Sequence, residues 1–577
     1  MEPRHQLAVS QLSRSLRSGY EQDVPFSSVA SFSSSSSGSL RKVSNLDAQS
    51  RPLSANRLPS FTSIIRVDPA RRTAVVEPEV SFENLVNAAS KYNLVPAYVS
   101  RYPHITVGAA FSTTSIESSS FKCGLFHHSV HSIEVVLQNG DVRRASPREN
   151  ADLFNGMVNT RSTLATLTLL EVRLIPAAPF VELSYLPVSS ADEAITLLDS
   201  VVHDDAFDYI DCILFSPTRG VVMVGRSTPN RNIHSIRRLL RQSDPLFHIH
   251  AEACLAKSLR SHESHTELIP HAEYLFRYSA SVFWLTPLTS TSSSISSRSS
   301  DSSSDDAPFP ARLTRPTTEH GRRLRQAHNL IATGGLSQRI LAADLLVPTV
   351  SGPALLTHIT THLSVFPLWL CPSIDTSTAP FHAWTRTSTW PLQTASMLLN
   401  VGVYGAPGPK TRLGIINNNS GNEYSTAFVA ANKELERLVN ELGGQKCWTG
   451  PMFCSEEEFW AGLERDSDGS GVAGSAAAGG REGYAKLRAR CGAEGLPGLW
   501  DACRIRTVEV VSARDSMSRP SMSLSLLGTR GTTVASMSAR SSVSLMRMPV
   551  GAGVPGTLGA MTKRSGSIRN LFKRELR

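Results

Sequence analysis

The chain has 577 residues, of which 41% are hydrophobic and 19% are charged. Its net charge of +9 comes from residues 511–577, which hold 11 Lys+Arg and 2 Asp+Glu, because the first 510 residues hold 47 of each sign. The body of the chain therefore lacks the basic excess that is typical of a nucleic-acid-binding protein. No apolar run approaches the roughly 18 residues that a membrane span requires, and residues 1–20 lack the apolar core of a signal peptide.

The eight cysteines are scattered, without a Cys-x-x-Cys pair and without a Cys/His set at zinc-binding spacing. We predict reduced and mostly buried thiols, a cytosol-facing compartment and no metal site.

Three segments have the composition of disordered chain. Residues 1–60 are rich in serine and show little apolar periodicity, residues 287–325 are a Ser/Asp linker, and residues 511–577 are a Ser/Met/Arg tail. The end of the tail, 568–577, is either solvated or a short basic amphipathic helix for an anionic membrane or partner.

Residues 62–177 predict a sheet packed by helices, an α+β arrangement. The helix over 81–92 has Ser81 as N-cap and apolar residues at helical spacing. Strands are predicted over 63–67, 73–76, 130–137, 142–145 and 164–175, with a hairpin turn at 139–141 and a short helix from 150. No Gly-x-Gly-x-x-Gly follows a strand, so we do not expect a Rossmann unit.

Residues 178–508 predict a second domain built on an antiparallel sheet. Its predicted strands are 180–185, 208–215, 220–225, 368–370 and 397–404, and its predicted helices are 189–202, 335–346, 355–363, 427–442 and 456–463. A Gly/Ala/Ser insertion covers 467–481.

The chain is organised around residues 105–126, where an apolar start runs into a dense row of small hydroxyl side chains. Such a row lets the backbone approach a ligand, and its N–H and O–H groups can hold phosphate oxygens. Glu117 and Lys122 are the charged residues within it. The alternative is a Ser/Thr-rich surface loop.

This segment resembles the flavin-contacting segment of the sterol Δ24-reductase family, which belongs to the FAD-linked oxidase superfamily, the fold of vanillyl-alcohol oxidase. The resemblance rests on Thr106-Val107-Gly108, on Ile116-Glu117-Ser118-Ser119-Ser120-Phe121-Lys122 and on Gly124-Leu125-Phe126. Further matches, in the same order as in the family, are Val67-Asp68-Pro69, Val76-Glu77-Pro78, 150–154, 174–177, 367–372, Tyr404-Gly405 and 457–460. Together they cover roughly 64–286 and 340–503.

The resemblance implies a PCMH-type FAD-binding domain over 62–177, shortened at its N-terminal end, followed by a cap or substrate domain over 178–508. It implies FAD-dependent reduction of the Δ24 double bond of sterol intermediates, with NADPH as the electron donor. It also implies the cytosolic side of the endoplasmic reticulum membrane, with peripheral contact, and the cytoplasm is the alternative location. The oligomeric state is not predicted.

The resemblance also places FAD and the catalytic candidates. The expected FAD-contacting residues are Thr106, Val107, Gly108, Ala109, Ser112, Thr113, Thr114, Ser115, Glu117, Ser118, Ser119, Ser120, Thr163 and Leu164. The catalytic candidates are Glu117, Lys122 and Tyr404. The alternatives are a structural ion pair for the first two and core packing for the tyrosine. His127 and His128 are candidates for an acid or a covalent flavin anchor, or are ordinary loop residues.

Several positions depart from the family pattern. Ala109 replaces a glycine, Thr113-Thr114-Ser115 replaces Gly-Thr-Gly, and Ser162 and Ala165 replace the glycines around a Thr-Leu pair. Phe276 and Tyr278 stand where the family has histidines. Because a Cβ removes free access to positive φ and adds bulk, we expect weaker FAD binding. A truncated or non-catalytic scaffold, or another FAD-linked alcohol oxidase, are the alternative functions.

Overall fold

The structure is a computed structural model that describes residues 2–21, 59–231, 235–239, 244–279, 341–374, 381, 397–405, 426–448, 450–463 and 480–504. The predicted linker 287–325, the predicted tail 511–577 and residues 22–58 lie outside the described residues. Within those described ranges, no helix is both long enough and apolar enough to cross a membrane.

The first domain is a six-stranded antiparallel sheet in the order β1-β2-β6-β4-β5, with β3 paired to one end of β6. Its strands are β1 (Ile64–Asp68), β2 (Thr73–Val76), β3 (Leu94–Pro96), β4 (Val130–Val136), β5 (Val142–Ala145) and β6 (Thr166–Pro176). Its helices are α1 (Pro3–Glu21), α2 (Phe82–Ser90), α3 (Val107–Ser112), α4 (Ser120–Cys123) and α5 (Ala151–Met157). The α+β class and the predicted Ser81 cap are confirmed, since the Asn84 N–H donates to the Ser81 side chain at 3.2 Å.

Residues 3–21 form α1, so the prediction of disorder over 1–60 is wrong for this part of the segment. Val9, Leu12 and Leu16 recur at helical spacing and pack against Phe61 and Val136. The stripe has few apolar residues within a Ser/Arg-rich sequence, so it gives only a weak helical pattern. The helix is stable only when the sheet covers this stripe.

A single buried histidine fixes the start of α1. His5 Nδ1 lies 2.8 Å from Glu77 Oε1, and His5 Nε2 lies 3.1 Å from Glu134 Oε1. Glu134 also accepts a hydrogen bond from the Thr168 hydroxyl at 3.0 Å. The histidine and the two carboxylates are all buried, so α1 is joined to the sheet by polar as well as apolar contacts.

The second domain is an eight-stranded antiparallel sheet in the order β10-β7-β9-β8-β12-β13-β11-β14. Its strands are β7 (Phe180–Val188), β8 (Tyr209–Ser216), β9 (Arg219–Thr228), β10 (His265–Pro270), β11 (Leu341–Pro348), β12 (Leu368–Ile374), β13 (Met397–Gly405) and β14 (Gln445–Lys446). The predicted antiparallel sheet is confirmed. The sequence patterns missed β10 and the helix before it.

The helix predicted over 335–346 is wrong where the structure describes it, because β11 occupies 341–348. β11 pairs with β13 on one side and with β14 on the other. A strand covered on both faces reads as a continuous apolar run, which periodicity alone does not distinguish from a buried helix.

The remaining helices cover this sheet or return to the first domain. They are α6 (Ala191–Val201), α7 (Phe247–Ser261), α8 (His271–Leu275), α9 (Gly352–His358), α10 (Thr426–Glu441), α11 (Glu456–Leu463), α12 (Gly480–Cys491) and α13 (Leu499–Cys503). α12 packs against α11 and against α5 of the first domain. The Tyr484 O–H donates to Thr163 Oγ1 at 2.7 Å, and Leu487 fills the space above Gly156.

The two faces of the second sheet bury different cores. One face shares a core with the first domain, through residues such as Leu183, Tyr185 and Ile213. The other face is covered by α6, α9 and α10, against residues such as Cys212 and Leu214. The candidate site lies at the first of these faces, between the two domains.

Candidate active site

The segment 105–126 lies between the two sheets. α4 packs against β12, and the Ile210 N–H of β8 donates to the Ser118 carbonyl at 2.8 Å. Ser112, Ser118 and Ser120 are buried. The alternative of a Ser/Thr-rich surface loop is therefore wrong.

The start of α3 is used for packing within the first domain. The Val107 and Gly108 N–H groups each donate at 2.9 Å, to the carbonyls of Val80 and Pro78 respectively. A Cβ on Gly108 would lie 2.6 Å from Pro78 Cβ, so the glycine is needed for this close approach. The Val107 side chain is part of the core, as is Leu164.

The hydroxyl groups of the segment are paired inside the protein, as follows. Four of them pair with the backbone: Thr106 accepts from the Ala109 N–H, Thr113 donates to the Ala109 carbonyl at 2.8 Å, Ser120 accepts from the Glu117 N–H at 3.0 Å, and Thr163 donates to the Thr160 carbonyl at 2.7 Å. Others pair with side chains: Ser112 with Ser162 at 3.1 Å, Ser115 with Tyr98, and Ser119, which accepts from the Cys123 thiol. Ser118 lies 3.5 Å from the Tyr274 hydroxyl. Thr114 is buried. A ligand at this segment would compete with these internal hydrogen bonds.

The replaced glycines do not all cause backbone strain. Ala109 is inside α3, and Thr113 is extended with φ −134°. Ser162 is left-handed with φ 59°, and its neighbours Asn159 and Arg161 are left-handed as well. The conformational cost of losing glycine therefore falls on the loop at Ser162.

Arg101 joins the segment to the eight-stranded sheet of the second domain, which is called the cap sheet below. Its backbone N–H donates to Glu117 Oε1 at 2.9 Å, and its guanidinium donates to Asp344 Oδ2 at 3.3 Å and to the Tyr404 hydroxyl at 2.9 Å. Asp344 Oδ1 accepts from Tyr404 at 2.5 Å and from the Asn400 amide at 3.1 Å. Arg101 is 6% exposed, and burial raises the pKa of Glu117 to about 7. This group of residues is called the arginine joint below.

A second buried pair lies beside the arginine joint. Asp211 Oδ2 accepts from Arg277 at 2.9 Å, from the Tyr278 hydroxyl at 2.6 Å and from Trp369 Nε1–H at 3.0 Å. The face of the Trp369 ring lies 4.1 Å from the Arg101 guanidinium. One indole therefore contacts both polar clusters.

The structure brings two of the three catalytic candidates together. Glu117 and Tyr404 both contact Arg101. Lys122 points away, since its ammonium donates to Asp208 at 3.2 Å and its side chain is 44% exposed. His128 accepts from the Leu125 N–H at 3.1 Å, and burial lowers the pKa of His128 to about 4.

The sequence patterns missed Arg101, Asp211 and Asp344. The signal was present for the two aspartates, because each is a charge inside an otherwise apolar strand, where an unpaired carboxylate would be costly. The Tyr278 hydroxyl, at a position where the sequence departs from the family pattern, donates to Asp211.

Three buried polar atoms at this interface lack a hydrogen-bond partner among the residues that the structure describes. They are Asp211 Oδ1, Arg277 Nε and Asn400 Oδ1. Buried polar groups normally find a partner, so these atoms are candidates for contact with a bound group that offers both donors and acceptors. The edge of a flavin ring carries N–H and C=O groups, so the donor and acceptor types of these atoms match that end of FAD.

Comparisons with known proteins agree with this arrangement. A family model described as an FAD binding domain matches residues 9–146, which extends the domain well before the predicted start at residue 62. The Delta(24)-sterol reductase of Pisum sativum is 27% identical over 68% of this chain and 70% of its own length. The Homo sapiens enzyme of the same name is 24% identical over 70% of this chain and 72% of its own length. Cytokinin dehydrogenase 9 of Oryza sativa is 29% identical over 26% of this chain and 28% of its own length.

The family match begins within α1, before the start predicted for the FAD-binding domain at residue 62. The buried hydroxyl segment, the polar interface below the cap sheet and the relatives found by comparison all indicate one class of protein. The chain is an FAD-dependent oxidoreductase that carries an FAD binding domain and resembles the Delta(24)-sterol reductases.

Proposed function

We propose that the chain reduces the Δ24 double bond of a sterol intermediate, with NADPH as the electron donor. The sterol reductase relatives, which align over about 70% of the chain, support the substrate class. The resemblance also favours peripheral contact with the endoplasmic reticulum membrane as the place where the sterol is met.

Saturating a carbon–carbon double bond requires a hydride at one carbon and a proton at the other. Bound FAD supplies the hydride chemistry. The protein must then hold the ring edge, keep water out of the site and deliver a proton. The buried interface beneath the cap sheet suits the first two tasks, because the unpaired atoms of Arg277 and Asn400 would hold the ring edge of bound FAD.

The observation that carries the proposal is the environment of Glu117. Burial raises the pKa of this carboxyl to about 7, so its protonated form persists to near-neutral pH. A general acid works best when its pKa lies near the working pH. The Arg101 N–H holds Glu117 Oε1 at 2.9 Å, which leaves its second oxygen to hold the proton.

Tyr404 and Arg101 act as positioning residues in this proposal. The Tyr404 hydroxyl donates to Asp344, so its proton is committed to that carboxylate. Burial raises the pKa of Tyr404 well above its usual range, which keeps the phenol neutral. Arg101 is held by Asp344 and by the Trp369 face, so the contact that orients Glu117 is rigid.

The test is reduction of a Δ24 sterol by the full chain after incubation with FAD and removal of free flavin. We expect a retained flavin absorption band, bleaching of that band by NADPH and a sterol product two mass units heavier. We expect Glu117→Gln to retain flavin but to lose sterol reduction by about 100-fold, since a general acid typically contributes this much. Lys122→Gln is the matched control and should leave activity unchanged.

Two results would overturn the proposal. A folded chain that retains no flavin would favour a non-catalytic scaffold. Bleaching that is followed by reoxidation with oxygen and unchanged sterol would favour another FAD-linked oxidase.

A further inference from the structure

A cluster of buried metal-ligating side chains lies between α7 and β10, away from the candidate active site. It comprises His250 and Cys254, four residues apart on α7, and Glu267 on β10. The three ligand atoms lie within 4.8 Å of one another. His250 Nε2 is 2.7 Å from Glu267 Oε1 and 3.5 Å from Cys254 Sγ.

The ligand atoms converge on one point. The thiol and the carboxylate both approach the same nitrogen of His250, which has a single hydrogen or lone pair to direct at them. Ligands at about 2.0–2.3 Å from one zinc ion lie about 3.3–3.8 Å apart in a tetrahedron. The Cys254–His250 distance already falls in this range, and the His250–Glu267 distance would open slightly.

We propose that His250, Cys254 and Glu267 bind a zinc ion, with His265, which lies outside this three-residue group, turning in from the solvent side as the fourth ligand. His265 Nε2 lies 3.7 Å from Glu267 Oε2, and its side chain is 26% exposed. Thiolate, imidazole and carboxylate are the ligand types that zinc takes in proteins. A thiolate and a carboxylate together neutralise Zn²⁺, so the loaded site has no net charge in the core.

The surroundings of Glu267 resemble the outer shell of a metal site. The Tyr185 O–H donates to Glu267 Oε1 at 2.8 Å, which fixes the orientation of the carboxylate. The Tyr185 ring also stacks on His265, with centroids 5.9 Å apart. Both contacts come from β7, the strand that pairs with β10.

Zinc at this place would clamp α7 onto the edge of the cap sheet. The first residue of α7, Phe247, lies edge-on to Tyr278 with centroids 5.1 Å apart, and Tyr278 donates to Asp211. The site is therefore structural, with four protein ligands and no open position for a substrate. The sequence could not reveal it, because a helical pair and a strand residue thirteen positions later match no linear zinc motif.

The experiment uses the full chain, stripped with EDTA and reloaded with Co²⁺ or Zn²⁺ alone. We expect one equivalent of metal per chain, a thiolate-to-cobalt absorption band in the near ultraviolet, and a rise in Tm with added Zn²⁺. Cys254→Ser should abolish the cobalt band and the Tm rise. Cys491→Ser is the matched control, since Cys491 is also a buried free thiol, and it should change neither.

An exposed pair at His358 and His362, with stacked rings 4.5 Å apart, is a possible source of adventitious metal. His358→Ala removes this pair and should leave the cobalt band intact. His265→Ala changes a partly exposed residue, so the fold is retained, and zinc affinity should fall about tenfold or more.

A wild-type chain that takes up no metal after EDTA treatment would overturn the proposal. So would a cobalt band that survives Cys254→Ser, or zinc affinity that is unchanged by His265→Ala. If Cys254→Ser does not fold, the His265→Ala titration and the cobalt spectrum of the wild type still decide.

Discussion

Two buried cations in this protein each lie between two carboxylates. Arg101 lies between Glu117 and Asp344 and joins the first domain to the cap sheet. His5 lies between Glu77 and Glu134 and joins α1 to the first sheet, and these three residues are called the histidine joint below. The arrangements are alike in geometry, but an arginine stays protonated at all ordinary pH values and a histidine does not.

The difference decides which group titrates. In the arginine joint it is Glu117, because burial raises the pKa of that carboxyl to about 7. In the histidine joint it is the cation, because the hydrogen bond with Glu134 raises the pKa of His5, followed by that with Glu77, against the opposing effect of burial. The ion pairs of Arg101 therefore persist at ordinary pH while Glu117 titrates. The ion pairs of His5 weaken as His5 loses its proton.

Breaking the arginine joint should have the largest effect. Asp344→Ala leaves the Arg101 guanidinium buried without its ion-pair partner on β11, so we expect the free energy of unfolding to fall by about 3–5 kcal/mol. Urea unfolding of the full chain measures this. Tyr404→Phe, which removes a hydroxyl from the same cluster, should cost about 1 kcal/mol. Equal losses for the two variants would show that Asp344 is not the key partner.

The Glu117 pKa sharpens the comparison through pH. A carboxyl whose pKa is raised in the folded state favours its protonated form there, so stability is highest below the unfolded value of 4.5 and falls as pH rises towards about 7. The loss across this window is up to about 3 kcal/mol. Glu117→Gln should flatten the slope of unfolding free energy between pH 5 and pH 7. A slope that persists in this variant would assign it to another group.

The histidine joint should open at higher pH. A raised pKa makes the stabilisation by His5 complete below the unfolded value of 6.5, and it is lost as pH rises through the folded value. His5→Gln should lower stability at pH 6 by about 2 kcal/mol, because two buried carboxylates lose a charged partner.

Hydrogen exchange locates the effect of this substitution. In His5→Gln the amides of α1 should exchange faster at pH 6, while those of β6 should not. His131→Gln is the control, since His131 is exposed on β4. Faster exchange in the control variant would show that the effect is not specific to the joint.

The smallest effect is expected at a position outside both joints. Ser162 is left-handed with φ 59°, so Ser162→Gly should raise the free energy of unfolding by about 0.5 kcal/mol, even though the hydrogen bond to Ser112 is lost. Ser162→Ala keeps the Cβ and loses the hydroxyl, so it should be less stable than wild type. A glycine variant that is less stable than the alanine variant would contradict the claim that the left-handed backbone at Ser162 is strained.

The sequence patterns predicted the elements whose periodicity is local. α2, with its Ser81 cap and one apolar face, follows directly from spacing. β11 does not, because a strand buried on both faces resembles a buried helix. α1 does not either, because its apolar stripe has meaning only against Phe61 and Val136.

The sequence predicts which segment contributes to the candidate site, but not which residues contact that segment. The row around Glu117 is recognisable from its hydroxyls and its resemblance, yet the groups around this carboxyl come from outside the row: Arg101 precedes it in a loop, and Asp344 lies on β11. Arg101 and Asp344 are 243 positions apart in the chain, and no linear spacing connects them. The structure also shows that the hydroxyls are mostly paired with other groups inside the protein, which composition cannot reveal.

Trp369 gives the protein an internal fluorophore at the junction of its two domains. Its indole is 2% exposed, carries a guanidinium on one face and donates its N–H to Asp211. Indole emission responds to nearby charge, so a change at either polar cluster should shift the emission wavelength or the fluorescence quantum yield of Trp369. Of the seven tryptophans in the chain, this one is placed to report ligand binding and domain separation in a single optical signal.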